Sequence, residues 1–190
     1  MKGEWCYFEN IFTPEECQHI INEGLQLPNK QATLGVEGSL TDNEFRSSIV
    51  RFFEPTNPTY HFIHDKLWKY AITANHDWFK FNINRLPYIQ LAEYDESYKG
   101  HYRRHIDTFW MNDDPIYHRK LTCVVQLTNP DNYEGGNLEL YNVRETPDVT
   151  GVRKQGTAIF FPGFIEHQAN PVTKGRRYSL AAWFEGPKFV

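Results

Sequence analysis

The segment YRRHID, residues 102–107, places an imidazole, His105, and a carboxylate, Asp107, two residues apart. In an extended chain, positions i and i+2 share a face, so the two groups converge on one point. A second imidazole, His167, follows an apolar run and a Pro-Gly turn in FFPGFIEHQANP. Two histidines and one carboxylate can occupy one face of an octahedral divalent ion, with Fe(II) the expected metal. Three coordination positions stay open. A bidentate 2-oxo acid can fill two of them and dioxygen the third. Three thiolates would favour other metals, and a fourth protein ligand would close the site.

A further element is Arg177, in PVTKGRRYSLAAWF. A guanidinium binds a carboxylate through two parallel hydrogen bonds, so Arg177 can anchor the far carboxylate of 2-oxoglutarate. Arg176 competes for that role. On an extended strand Arg177, Ser179, Ala181 and Trp183 share one face, while Tyr178, Leu180, Ala182 and Phe184 share the other and read as core. Taken alone, His105 and Asp107 could be a hydrogen-bonded surface pair. His101 and His105 have helical zinc spacing, but Gly100 and the extended flanks oppose a helix, and HExxH is absent. His19, His61, His64, His76 and His118 read as surface or capping residues.

These side chains need elements to position them. Thr13-Pro14-Glu15-Glu16 has the form of a helix start, with Thr as cap, Pro at the first helical position and Glu16 closing a capping box. Cys17, Ile20, Ile21 and Leu25 continue the helical spacing. Residues 29–48 are polar and turn-rich, and read as a long loop of the kind that often serves as a lid. A second helix is predicted over residues 58–75, with Phe62, Ile63, Leu67, Tyr70, Ala71 and Ala74 on or near one face. From Phe79 onward, short apolar runs alternate with turn signals: FKFNI, YIQLAEY, LTCVVQL, NLELY, TAIFF and YSLAAWF. That is the pattern of a β-sandwich or small barrel. Several runs are apolar at every position, so both strand faces need cover, and the two helices are the expected cover. Gly135-Gly136 reads as a turn before a strand.

The chain has 190 residues, 40% hydrophobic and 16% aromatic, which suits one domain with a substantial core. Residues 1–78 read as helical support and 79–186 as the β core. The formal net charge of -4 argues against a nucleic-acid partner. Three cysteines without a CxxC pair argue against a disulfide framework. No apolar run suggests a membrane span, and no leader is visible, so the cytoplasm is the expected location.

In order and spacing, IQLAEY, YRRHID, RKLTCVVQL, EGGNLELY, GTAIFF and H-x3-PV-x2-GRRYSLAAW resemble the 2-oxoglutarate-dependent dioxygenases of the prolyl-hydroxylase branch. The resemblance covers residues 88–184 well and the first third only loosely. It implies a mainly β fold, a double-stranded β-helix related to the jelly roll, with flanking helices. It places iron on His105, Asp107 and His167, and the 2-oxoglutarate salt bridge on Arg177. Tyr94 matches a tyrosine lining the cosubstrate pocket, and Thr122 faces that region in relatives. Tyr102, Arg119 and Trp183 match pocket residues nearer the substrate. Several relatives carry a tyrosine where this chain has Gln126; Gln126 could donate an amide hydrogen bond to the cosubstrate instead, or leave that role to another residue.

The implied activity is hydroxylation of an unactivated C–H bond, with Fe(II), 2-oxoglutarate and O2 consumed or used, ascorbate as an accessory reductant, and succinate and CO2 released. A prolyl residue in a peptide or protein is the expected substrate. A free amino acid or another small molecule is the enzymatic alternative. A jelly-roll binding module is the non-enzymatic one, and filling of all four key positions counts against it. A nucleic-acid demethylase is disfavoured by the acidic balance and by the lack of R-x-N-x5-R after His167.

Overall fold

Strand side chains alternate between faces, and in this chain each face of the main sheet meets a different layer. The computed structural model describes residues 3–31, 43–54, 56–108 and 116–188. Among these, the larger sheet contains strands β1 (Cys6–Phe8), β2 (Lys30–Gln31), β4 (Ile49–Phe53), β5 (Ile89–Asp95), β7 (Tyr117–Gln126), β8 (Tyr133–Gly135), β10 (Ala158–Pro162) and β12 (Val172–Pro187). Its order is β1-β10-β7-β12-β5-β4-β2, with β8 pairing β12. The smaller sheet runs β3 (Arg46–Ser47), β6 (His101–His105), β11 (His167–Ala169), β9 (Leu138–Leu140). The pairings within both sheets are antiparallel.

On β7, Leu121, Cys123 and Val125 point to the helical side and join Ile89, Leu91, Phe160, Leu180 and Phe184 in one core. The helices close it. α1 (Pro14–Leu25) contributes Cys17, Ile20 and Ile21, and α2 (His61–Ala74) contributes Ile63, Leu67, Ala71 and Ala74. The opposite face of the larger sheet turns toward the smaller one. Val124, Ile159 and Phe161 pack with Leu140 there, and Ala92 and Tyr94 pack with Ala169 and Val172. This is the double-stranded β-helix that the resemblance implies. Sequence runs that were apolar at every position are thus strands covered on both faces, by helices on one side and a sheet on the other.

Helix α1 starts as expected. The Thr13 hydroxyl accepts from the Glu16 N–H at 3.2 Å, and the Glu16 carboxylate accepts from the Thr13 N–H at 2.8 Å. Helix α2 is preceded by a 3-10 turn at Pro58–Tyr60 and followed by a π turn that begins at Asn75, so the predicted 58–75 segment is helical throughout but in three pieces. A short helix, α3 (Val149–Arg153), capped by Asp148, was not anticipated.

Four expectations need correction. The run FKFNI forms no strand. A π turn spans Asn75–Phe79, and Lys80 is left-handed at φ 63°. The Asn75 side chain donates to the Phe81 carbonyl at 2.7 Å and accepts from the Phe81 N–H at 2.8 Å. Those are the backbone groups a sheet ladder would need. The first 78 residues are not only helical: they supply β1 to β4, at both ends of the larger sheet and at one edge of the smaller. The stretch read as a loop over 29–48 has strands at both ends, β2 and β3; its middle, residues 32–42, lies outside the described residues, and the lid expectation with it. His118, read as a surface or capping residue, is buried in β7.

Candidate metal centre and its cavity

His105 ends β6 and His167 begins β11, and the two residues sit directly opposite each other in the antiparallel ladder. Their ring centroids are 4.2 Å apart. Asp107 follows β6 and is stitched to the turn between β10 and β11, where its N–H donates to the Gly163 carbonyl at 2.8 Å. A Cβ at Gly163 would lie 2.6 Å from Thr108 Oγ1 and 2.9 Å from the Arg119 carbonyl, so only glycine lets these segments approach so closely. As a result Asp107 Oδ1 lies 3.7 Å from His105 Nε2, and Oδ2 lies 3.4 Å from His167 Nε2.

The protonation pattern follows from the neighbours. His105 Nδ1 faces the Arg103 carbonyl at 2.7 Å, and His167 Nδ1 faces the Ile165 carbonyl at 3.0 Å. A carbonyl only accepts, so each Nδ1 carries a proton, and each Nε2, the atom left to ligate a metal, is turned toward Asp107. Burial lowers the His105 pKa, and neighbouring His167 lowers it further, so the ring is held neutral. Burial alone would raise Asp107, but His167, His105, Arg119 and the Thr122 hydroxyl hold it below the usual carboxylate range. Two neutral imidazoles and an ionised carboxylate are the forms in which these groups bind a metal. Their donor atoms lie within 4.8 Å of one another, and no fourth His, Cys, Asp or Glu joins the cluster among the described residues. The set therefore fits a divalent ion with open positions, Fe(II) included.

The cavity next to this cluster is lined by Arg46, Tyr94, Tyr102, Thr122, Arg177 and Trp183, among others. Alternation along β12 decides between the two arginines. Arg176 points outward and pairs with Asp95 at 2.5 Å, whereas Arg177 is 2% exposed and lines the cavity. No described carboxylate lies within salt-bridge distance of Arg177; its Nε donates to Gln126 Oε1 at 3.0 Å. Arginine only donates, so the Gln126 amide must present its oxygen. Gln126 thus holds Arg177 and is not among the lining residues, which fits the second of the two possibilities raised for it, that another residue takes the contact with the cosubstrate. Tyr94 lines the cavity with its ring centroid 5.2 Å from the Arg177 guanidinium carbon.

The remaining candidates fall at different depths. The Thr122 hydroxyl donates to Asp107 Oδ2 at 2.7 Å, so it acts on the metal-binding carboxylate. Tyr102 stacks on His105 with centroids 3.5 Å apart. Trp183 is 7% exposed, and its buried indole N–H has no hydrogen-bond partner among the described residues, so a donor is left for a molecule in the cavity. Arg119 is outside the lining. It sits at the rim with its guanidinium 4.2 Å from the Trp183 ring and bonded to the Tyr88 hydroxyl.

The sequence reading missed two residues. Tyr88 builds the rim with Arg119 and Trp183. Arg46 enters the cavity from β3, inside the stretch read as loop. The stretch after it, IVRFF over Ile49–Phe53, hints at a strand, but no local signal shows that Arg46 pairs with Tyr102 across the smaller sheet.

Comparisons agree with this geometry. The sequence pattern of the family described as 2OG-Fe(II) oxygenase superfamily matches residues 89–185. A PKHD-type hydroxylase of Aliarcobacter butzleri is 25% identical over 175 residues, spanning 90% of this chain and 72% of that protein. One of Colwellia psychrerythraea is 32% identical over 91 residues, 45% of this chain and 38% of its own length. The matched part is thus well under half of that second relative. Among solved structures, a prolyl hydroxylase from Trichoplax adhaerens, in complex with a hypoxia inducible factor oxygen degradation domain peptide fragment, has a TM-score of 0.73 at 18% identity, covering 96% of this chain and 83% of that one. A Pseudomonas putida prolyl-4-hydroxylase has a TM-score of 0.69 at 17% identity, covering 96% and 92%. At such identities the structural likeness speaks to the fold.

Proposed function

The chain belongs to the 2OG-Fe(II) oxygenase superfamily, and on that premise we propose that it hydroxylates a prolyl residue within a peptide or protein. The observation that carries the oxygenase reading is the His105, Asp107, His167 cluster sharing one cavity with the buried Arg177, which lacks a carboxylate partner among the described residues. An isolated buried charge is expensive, so Arg177 calls for an anion. The far carboxylate of 2-oxoglutarate meets that need.

Bound there, Fe(II) with 2-oxoglutarate and O2 supplies the oxidation, adding one oxygen atom to a C–H bond and releasing succinate and CO2. The chain's own groups bind and orient. His105 Nε2, His167 Nε2 and the Asp107 carboxylate hold the metal, and Thr122 fixes the carboxylate. Gln126 and Tyr94 keep the Arg177 fork facing the cavity. Tyr102 and the Trp183 indole N–H border the substrate side, with Arg119 at the rim. The buried walls exclude water from the reacting centre.

The prolyl substrate rests on the kinship with PKHD-type hydroxylases and on the peptide bound by the Trichoplax enzyme. The net charge of -4 supports a partner other than nucleic acid. Three free, buried cysteines agree with a reducing compartment, and the cytoplasm remains the expected location. Mass spectrometry of proline-containing peptides and of free L-proline, each with Fe(II), 2-oxoglutarate and ascorbate, tests the reading. One oxygen should be gained on a peptide. A gain on free proline alone would exchange the polypeptide substrate for an amino acid, and omitting ascorbate shows whether it is needed.

A further inference from the structure

Arg46 is the charged cavity residue to which the reading above gives no task. It is 8% exposed. Its Nε donates to Ser48 Oγ at 2.9 Å, and its guanidinium carbon lies 4.3 Å from the centre of the Tyr102 ring. No described carboxylate pairs with it, and its terminal amino groups make no hydrogen bond among the described residues. Arg51, buried in β4 of the larger sheet, is treated differently: it pairs with Glu93 at 2.8 Å. A guanidinium taken out of water without an anion is costly, so a ligand that brings one is favoured.

Charge balance points the same way. Among the described lining residues, two arginines and one aspartate leave one excess positive charge, the histidines counting as uncharged because an imidazole ligates a metal in its neutral form. A divalent metal raises the excess to three, and a dianionic 2-oxo acid removes two. One positive charge stays uncompensated. It lies on the Arg46 side, because Arg177 takes one carboxylate of the cosubstrate and the metal takes the other. Tyr102 separates Arg46 from His105, so a group held by Arg46 sits one aromatic ring away from the metal ligands.

We propose that Arg46 binds a carboxylate of the substrate, through the fork geometry that suits such a pair, and that the enzyme therefore selects acidic substrates. The proposal rests on the oxygenase reading for its charge balance, and on the prolyl reading only for the choice of peptides. The carboxylate can come from an acidic side chain beside the target residue or from a C-terminus directly after it.

The test is equilibrium binding of fluorescent peptides to the full chain loaded with Zn(II), which has no redox chemistry, and 2-oxoglutarate. One set compares Glu-Pro-Glu with Gln-Pro-Gln cores, both amidated. A second compares Gln-Pro ending in a free acid with the same peptide ending in an amide. A third replaces proline by alanine throughout. At least one carboxylate should tighten binding about tenfold, as expected for a hydrogen bond to a charged group. Arg46→Gln should abolish that preference, and Arg46→Lys should keep part of it. Because the peptide is changed rather than the protein, the first comparison stands even if a variant folds poorly. Equal binding of charged and neutral peptides in both sets overturns the proposal, as does an Arg46→Gln variant that keeps the preference. Indifference to proline with a retained carboxylate preference would sink the prolyl reading and leave Arg46 standing.

Discussion

Asp107 is where three local facts meet: its N–H is tied to the Gly163 carbonyl, Thr122 donates to it, and both histidines flank it. Removing the carboxylate takes away the one anionic ligand without touching the hydrophobic core. Asp107→Ala should therefore abolish Fe(II) binding and turnover while the folded circular-dichroism spectrum persists. Metal content and succinate release check this, and wild-type turnover in the variant would refute the ligand assignment. Arg177 and Arg176 make a matched pair. One is buried with no carboxylate partner described, and the other is outside on Asp95. Arg177→Gln should raise the KM for 2-oxoglutarate by about thirtyfold or more, the scale of losing one partner of a buried charged pair. Arg176→Gln should leave that KM within a few fold. Equal shifts at both positions would leave the anchor unassigned.

At the scale of elements, α1 is tied to the rest of the molecule by its first turn. The capping box satisfies two orphan groups, and the same Glu16 carboxylate accepts from Lys66 of α2 at 2.5 Å. Thr13→Ala should lower stability by about 1 kcal/mol, read from the denaturant midpoint with an unchanged slope. Since α1 packs on the sheet face opposite the cavity, the KM for 2-oxoglutarate should stay at the wild-type value. A kinetic change larger than the stability change would mean that the helix layer communicates with the site.

The whole molecule is a sheet that needs cover on both sides. Residues 1–78 supply the helices over Leu91, Leu121, Val125 and Phe160, and they also supply β1 and β4, which flank the larger sheet. A fragment of residues 79–190 should therefore fail to fold alone, despite holding His105, Asp107, His167 and Arg177. Its thermal scan should show no cooperative transition, and it should bind a dye for exposed apolar surface. A cooperative transition near that of the full chain would contradict the two-layer account.

Much of this protein is legible in local sequence. The Thr13 to Glu16 start, the β-runs after Ile89, the H-x-D pair on one face and the alternation that separates Arg177 from Arg176 depend on neighbours within a few residues. Period and capping chemistry act at that range. The failures have a common cause. FKFNI has strand-like composition, but the Asn75 side chain takes the Phe81 backbone groups that a ladder would use. Gln126 offers a donor and an acceptor in sequence, and only contact with Arg177 fixes which one faces the cavity side. Arg46 sits in a polar stretch, and nothing nearby shows that it pairs across the sheet with Tyr102. Local pattern sets which face a residue occupies. What that face meets depends on which distant strands lie alongside, and only the folded chain decides it.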